Sequence, residues 1–519
     1  MGDFHLLSLL MLSSAFILLC FCMRLFYTIW WRPIKLQTHL RQQGIQGHPY
    51  KLLYGNIKDN MRSLRQSQSK PINLTHQIAP RVVPFFHQTA KDYGKISLTW
   101  FGTVPRVSIM DPELIREVLS NKFGHFEKVK SNPLTRLLAT GLATYEGEKW
   151  AQHRRILNPA FHQEKLKCML PAMFTSCSEM ISRWEQSVGS DGYCETNVWP
   201  EFQNLTGDII SRTAFGSSYK DGIRIFQLQN EQAILVIKAA RTIYIPGFRF
   251  LPTKENIRRK EIDREMRVLL REIIQRRQKA ARVGDVNNND LLGLMMESNY
   301  RESQECGKAK SMVMTIEDVI QECKLFYFAG QETTSVLLTW TMVVLSMHPI
   351  WQERAREEVL QVFGKNKPDF ERLSRLKIVT MILYEVLRLY PPIILLTRHT
   401  YKEMKLGDAI LPPGVQILLP TLLIHHDPEI WGDDAEEFNP ERFSEGISKA
   451  SKHQVGFFPF GWGPRICIGQ NFALVEAKLA LSMILQQFSF KLSPSYAHAP
   501  YAAITLQPQY GAQIILQKL

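Results

Sequence analysis

The chain reads as a mainly α-helical fold with a minor β-sheet, preceded by one N-terminal transmembrane helix. Three observations predict this. Apolar residues recur at helical spacing through much of the chain, strand-like runs are few and short, and residues 6–23 are uncharged and almost wholly apolar. No period of roughly 20–50 residues repeats, which removes solenoids from consideration.

Composition sets the frame. The 519 residues are 45% hydrophobic and 22% charged, ordinary values for a globular chain with a large core. The formal net charge of +14 serves solubility and suits attraction to anionic lipid or to an acidic redox partner. No arginine-rich tail or zinc-finger spacing accompanies it, so no nucleic-acid partner is expected. The eight cysteines (Cys20, Cys22, Cys168, Cys177, Cys194, Cys306, Cys323, Cys467) contain no C-x-x-C pair. That argues against a zinc ribbon or a thioredoxin-type site. Their low density argues against a disulfide scaffold and suits a reducing compartment.

The first element is the anchor. Residues 6–23 form a helix of about 27 Å, close to the thickness of bilayer hydrocarbon. Arg24, Trp30, Trp31, Arg32 and Lys35 follow it, whereas only Asp3 precedes it. Tryptophans suit the membrane interface, and cations after the span leave the bulk of the chain in the cytosol. A cleaved signal peptide would carry its basic charge on the other side. With the bulk of the chain in the cytosol, the sequons at Asn73 and Asn204 would stay unmodified. Residues 1–32 are the anchor, 33–84 a linker and the start of the globular part, and 85–519 one domain.

Residues 96–100 and 104–110 read as a hairpin around Gly102, and 415–419 as a further strand. Ile262, Met266, Leu269, Leu270, Ile273 and Ile274 make a helical apolar stripe, with Arg264, Arg267, Arg271, Arg276 and Arg277 opposite. That basic face reads as solvated, or as a surface for lipid or a partner. Residues 284–290 and 299–311 read as loops. Thr315, with Glu317 and Asp318 in the first turn, caps a long helix that stops before His348-Pro349. Its centre, Ala329-Gly330-Gln331-Glu332-Thr333-Thr334, sets a glycine, an acid and two threonines among apolar neighbours. Glycine there costs about 1 kcal/mol against alanine. Threonine hydroxyls can bond back to the preceding turn.

Glu385 and Arg388 share a helix face in an apolar setting, which predicts a buried pair in need of a network. The most informative segment is Phe460-Gly461-Trp462-Gly463-Pro464-Arg465-Ile466-Cys467-Ile468-Gly469, followed by a helical pattern over 471–487. Its glycines allow backbone to approach a flat cofactor, Arg465 can meet an anionic group, and Cys467 can ligate a metal. The plain alternative is a buried cysteine beside a turn.

This segment resembles the haem-binding loop of cytochromes P450, F-x-x-G-x-R-x-C-x-G, at Phe460, Gly463, Arg465, Cys467 and Gly469. The long-helix centre is similar to that family's A/G-G-x-D/E-T-T/S motif, and Glu385, Arg388 and Arg442 of Pro440-Glu441-Arg442-Phe443 to its E-x-x-R and P-E-R-F elements. The resemblance implies a P450-like fold with haem b held by Cys467. Gly330 would leave room for dioxygen. Thr333 and Glu332 would serve the oxygen chemistry as hydrogen-bond donor and proton relay. Trp150, Arg154, Arg398 and Arg465 would face the haem propionates. Glu385, Arg388 and Arg442 would lock the cysteine loop.

Segments such as Asn158-Pro159-Ala160-Phe161-His162 and Cys323-Lys324-Leu325-Phe326 look like the plant 72 clan. That resemblance implies oxidation of an apolar terpenoid by a monooxygenase in the endoplasmic reticulum membrane. Electrons would come from NADPH through a separate NADPH-cytochrome P450 reductase, with cytochrome b5 as a further partner. Substrate contacts would come from 123–142, 226–252, the centre of the long helix, the apolar run 393–396 and the turn near Ile504. A hydroperoxide isomerase or dehydratase, a haem sensor without turnover and a non-haem membrane protein are the rival readings. The anchor is followed by only one proline in Gly44-Ile45-Gln46-Gly47-His48-Pro49, unlike the proline-rich hinge of many microsomal relatives.

Overall fold

Helices carry most of the chain and the strands are short, as the apolar periodicity predicts. The computed structural model describes residues 2–120, 126–130, 132–216, 219–282, 290–304 and 314–519. Two units gather these residues, and each is coherent by itself.

The first unit comprises Met1–Gln66, Val83–Val129 and Thr397–Pro420. Its N-terminal helix, Gly2–Phe26, passes through a π-helical turn at Tyr27–Trp31 into a helix over Arg32–Gln42. The span His5–Gln42 is long and apolar enough to cross a membrane, and none of its most apolar window is buried in protein. An apolar helix exposed all round its girth finds its stable environment in hydrocarbon.

The segment read as a linker is more ordered than its polar composition suggests. Leu40 and Ile45 are buried, and a further helix covers Ile57–Ser67. Gly47 bridges to Leu98, where a Cβ would lie 2.1 Å from the Leu98 carbonyl oxygen, so only glycine lets the two backbones meet. The expected hairpin forms: Ile96–Phe101 pairs antiparallel with Val104–Ile109, and Gly102 at φ 61° makes the turn. Gln416–Leu419 joins Val104–Ile109 in parallel, and Leu396–Thr400 and Phe126–Glu127 complete a five-stranded sheet.

The second unit comprises Ser67–Val82, Lys130–Leu396 and Thr421–Leu519. At its centre runs the long helix, Ile316–Met347, against the helix Val198–Phe215. Its start is the predicted one: Thr315 accepts from the Asp318 amide, and Asp318 reaches back to the Thr315 amide in a capping box. The helix Gln163–Ser187 and the cysteine helix, Gln470–Gln487, also pack here. An antiparallel sheet of Tyr193–Asn197, Gln513–Lys518 and Phe488–Leu492 closes one side. It escaped the sequence reading because its central strand comes from the extreme C-terminus and pairs with segments far away in sequence.

Two expectations change. The helix Leu291–Gln304 covers the start of the segment read as a loop over 299–311, while 305–311 and most of the 284–290 loop lie outside the described residues. Part of the basic stripe is paired rather than merely solvated. On the helix Lys254–Arg282, Arg267 bonds Asp263 and Glu317, and Arg277 pairs with Asp290.

Candidate active site

Cys467 lies three residues before the first residue of the cysteine helix. Its amide donates to the Phe460 carbonyl at 2.8 Å, and the Gly461 amide donates to the Phe458 carbonyl at 2.9 Å. Gly461 and Gly463 adopt φ of 75° and 69°, a left-handed backbone that the loop needs to fold back on itself. The Cys467 side chain is exposed and in no disulfide, whereas Cys177 and Cys323 are buried and burial pushes both of their thiols up. The loop therefore presents one reachable sulfur between Phe458 and Phe472, both buried.

Behind the loop, the predicted ion network is complete. Glu385 and Arg388 are both wholly buried and meet in a two-pronged pair, Nε to Oε2 at 2.8 Å and Nη2 to Oε1 at 2.7 Å. Arg388 also donates to the carbonyls of His425, Ala435 and Glu437. Arg442 reaches Glu385 Oε1 at 3.4 Å and holds Asp434 and the Trp431 carbonyl. The network continues to the loop through His425, whose Nε2 accepts from the Phe458 amide at 3.2 Å. Burial pushes His425 down to about 3, so the ring is neutral and free to accept there.

The helix Gly147–Leu157 carries Trp150 and Arg154. Arg154 donates to the Ile466 carbonyl at 2.8 Å. Burial lowers its pKa, with nearby Cys467 opposing. Arg465 stacks over Trp150 at 4.0 Å, donates to the Tyr145 carbonyl and pairs with Glu146. The same helix is tied to the long helix by His153 with Glu322 at 2.7 Å and Lys149 with Asp318 at 2.6 Å. Thus Trp150, Arg154, Arg465, Phe460 and Cys467 are brought together. Arg398 belongs to the first unit, where it is buried and donates to the Thr397 carbonyl.

The centre of the long helix is unusual in its exposure. Many residues around it are buried, but Leu325, Phe328, Ala329, Gly330 and Thr333 remain half-accessible. Their spacing of three and four places them on one face. Thr333 Oγ1 donates to the Ala329 carbonyl at 2.7 Å. Glu332 turns away from Thr333: its Oε1 accepts from Thr505 Oγ1 and Gln507 Nε2, both at 2.5 Å. Adjacent helical residues do not face each other, so the two groups share no direct hydrogen bond. Gly330 also has a packing task. A Cβ there would lie 2.8 Å from Ile210 Cγ1, so its missing side chain admits the neighbouring helix, while Gly330 and Ala329 are both half-accessible.

Comparison with known proteins decides the family. The cytochrome P450 family profile matches residues 72–514. Cytochrome P450 CYP72A616 of Paris polyphylla is 65% identical over 492 residues, covering 95% of both chains. Cytochrome P450 72A15 of Arabidopsis thaliana is 57% identical over 492 residues, again 95% of both. The 11-oxo-beta-amyrin 30-oxidase of Glycyrrhiza uralensis is 57% identical over 495 residues, 95% of this chain and 94% of its own.

The chain is a cytochrome P450 of the plant 72 clan. It is accordingly a monooxygenase, an oxidoreductase of a family that carries haem. The residues present fit that group. A reachable sulfur on a glycine-bent loop is the donor that a haem-thiolate centre requires, and Arg154 and Arg465 stand beside it. Phe161 links the two sides of the P450 core, stacking on Phe326 of the long helix at 5.7 Å and meeting Phe472 of the cysteine helix edge-on at 6.4 Å.

Several supporting residues escaped sequence reasoning. Tyr145 and Glu146 hold Arg465, His425 holds the loop, and Thr505 and Gln507 hold Glu332. Each acts across a long sequence separation and stands in no local motif.

Proposed function

We propose that this P450 inserts one oxygen atom from dioxygen into a C–H bond of an apolar terpenoid, with haem b held by Cys467. The observation that carries the reading is the exposed Cys467 thiol on its locked loop, in a chain otherwise similar to a triterpenoid oxidase along nearly its whole length. When bound, haem with a thiolate ligand supplies O–O bond cleavage. Everything else falls to the chain. Phe460 fixes the cysteine amide. Arg154 and Arg465 would neutralise carboxylates of the haem, with Trp150 beside Arg465. Leu325, Phe328 and Ala329 offer an apolar wall to the substrate.

Thr333 holds a proton on Oγ1, now given to the Ala329 carbonyl, and releases it to an acceptor arriving at the open face. Glu332, held by Thr505 and Gln507, stands one residue away and needs an intervening water to reach that hydroxyl. Gly330 sets how closely the long helix lies against Ile210 and thereby where Thr333 stands.

Electrons come from NADPH through NADPH-cytochrome P450 reductase, with cytochrome b5 assisting. The protein sits in the endoplasmic reticulum membrane with its catalytic part in the cytosol, a reading supported by the exposed apolar N-terminal helix and by the cations that follow it. The test is Cys467→Ser in the haem-loaded protein. Loss of the thiolate-type carbon monoxide spectrum, together with loss of NADPH-dependent oxidation of a triterpenoid panel, is expected. An unchanged spectrum would assign the iron to another residue. Product formed without NADPH would favour hydroperoxide isomerisation.

A further inference from the structure

Beyond the oxygen-side threonine, the long helix carries a buried aromatic cluster that monooxygenation does not use. Trp340 lies seven residues after Thr333, two turns along the same face and about 10 Å further down the axis. Its ring is wholly buried and stacks on Tyr390, with centroids 4.6 Å apart and planes 19° apart. Its indole N–H donates to the Leu506 carbonyl at 2.7 Å. Tyr390 is wholly buried as well. Its hydroxyl lies 2.9 Å from His76 Nδ1 and 3.5 Å from the Thr75 carbonyl oxygen. The second distance is too long for a good bond, so the phenol gives its proton to His76. His76 Nε2 in turn lies 2.8 Å from Nε2 of His348, a half-buried residue at the end of the long helix.

The protons can be assigned. Two ring nitrogens facing each other need a single proton between them. Burial holds His76 down to about 3, so it is neutral and carries one N–H. If Nδ1 accepts from Tyr390, that N–H is on Nε2 and points to His348. The result is a directed chain: phenol to imidazole, imidazole to imidazole, and then to solvent. It runs alongside a stacked indole–phenol pair. A buried aromatic that lost only an electron would keep an unpaired positive charge in a dry site, which is costly. Oxidation becomes feasible there when the proton leaves with the electron, and His76 is placed to take it.

We propose that Trp340, Tyr390, His76 and His348 form a protective relay that drains oxidising equivalents from the haem site when no substrate is there to be oxidised. In each event Tyr390 loses one electron, which passes through the Trp340 ring and reduces the haem centre by one. The O–H bond of Tyr390 breaks and its proton goes to His76 Nδ1. The Nε2 proton of His76 passes to His348, and His348 releases one proton to water. A neutral tyrosyl radical remains.

The relay rests on the haem-thiolate reading but can fail separately from it. The experiment uses the full-length haem-loaded chain, free of substrate, mixed with hydrogen peroxide and freeze-quenched for electron paramagnetic resonance. The wild type should show an aromatic radical with a tyrosyl component. Tyr390→Phe keeps the stack, so it should fold normally, lose the tyrosyl component and bleach its haem faster. Trp340→Phe should lower the tyrosyl component as well. His348→Phe, at the half-buried end, should slow its appearance while leaving Trp340 and Tyr390 stacked. Peptide mapping should find oxidation concentrated at Trp340 and Tyr390. A wild-type protein with a normal carbon monoxide spectrum and no aromatic radical overturns the relay and leaves the haem reading intact. So does a tyrosyl signal that is the same in Tyr390→Phe as in the wild type.

Discussion

The two sides of this P450 treat polar groups in opposite ways. Behind the cysteine loop, Glu385 and Arg388 are wholly buried, and both are used many times over by Arg442, Asn439 and the carbonyls of His425, Ala435 and Glu437. At the centre of the long helix, Thr333 is half-accessible and, among the described residues, its hydroxyl donates to its own helix. The first arrangement is a clamp: desolvated charges with every partner supplied, so that no other geometry competes. The second is a poised group, whose weak intrahelical bond is easily exchanged for another acceptor. The contrast separates residues that fix the site from residues that act in it.

The comparison breaks hardest at the clamp. Glu385→Ala leaves Arg388 buried without its carboxylate and should cost about 3–5 kcal/mol. Chemical denaturation should show that loss, and the protein should no longer take up haem. Acid attacks the same region. Burial pushes His425 and His426 down to about 3, below the usual 6.5, so both are neutral in the folded chain. Unfolding lets them take up protons. The stability they allow is therefore intact above about 6.5 and falls as pH drops through the window between about 6.5 and about 3. Thermal unfolding across that window, compared with a His425→Gln variant, should show a shallower slope in the variant.

Effects on the oxygen side should leave the fold alone. Thr333→Ala removes one back-bond on an open face, so unfolding should change by less than about 1 kcal/mol. The carbon monoxide spectrum should persist, while NADPH oxidation is diverted from product to hydrogen peroxide. Coupling equal to wild type would remove Thr333 from proton handling. The smallest effect is expected at Glu476, between the two sides. It is wholly buried on the cysteine helix, and burial pushes its acid well above the usual carboxyl range, with the Thr334 hydroxyl opposing. A carboxyl held neutral loses little when replaced by an amide. Glu476→Gln should unfold within about 1 kcal/mol of wild type near neutral pH and lose the infrared band of a protonated acid.

Local chemistry was legible wherever a residue's task depends on near neighbours in the chain. The capping box at Thr315 and Asp318 needs three residues, the hairpin around Gly102 needs a dozen or so, and the Cys467 loop needs its own glycines. The network of Glu385, Arg388 and Arg442 was legible for another reason. Charged side chains in an apolar helix must find partners, and the resemblance to cytochromes P450 named the arginine of the P-E-R-F segment as one.

Where a side chain points was not legible. Nothing adjacent to Glu332 shows that it turns to Thr505 and Gln507, and nothing near Gly330 names Ile210 as the neighbour it admits. The ordered segment between anchor and domain was equally hidden, because its glycine contact with Leu98 joins backbones far apart in sequence. By itself, the sequence determined the helical class, the anchor, the thiol and the charges that must be paired. Tertiary structure alone decided that Arg465 is held by Glu146, that Thr333 and Glu332 face different ways, and that Trp340, Tyr390, His76 and His348 lie in contact. The physical reason is range: propensity, capping and charge burial act within a few residues, whereas packing chooses partners among all residues that share one face of a helix.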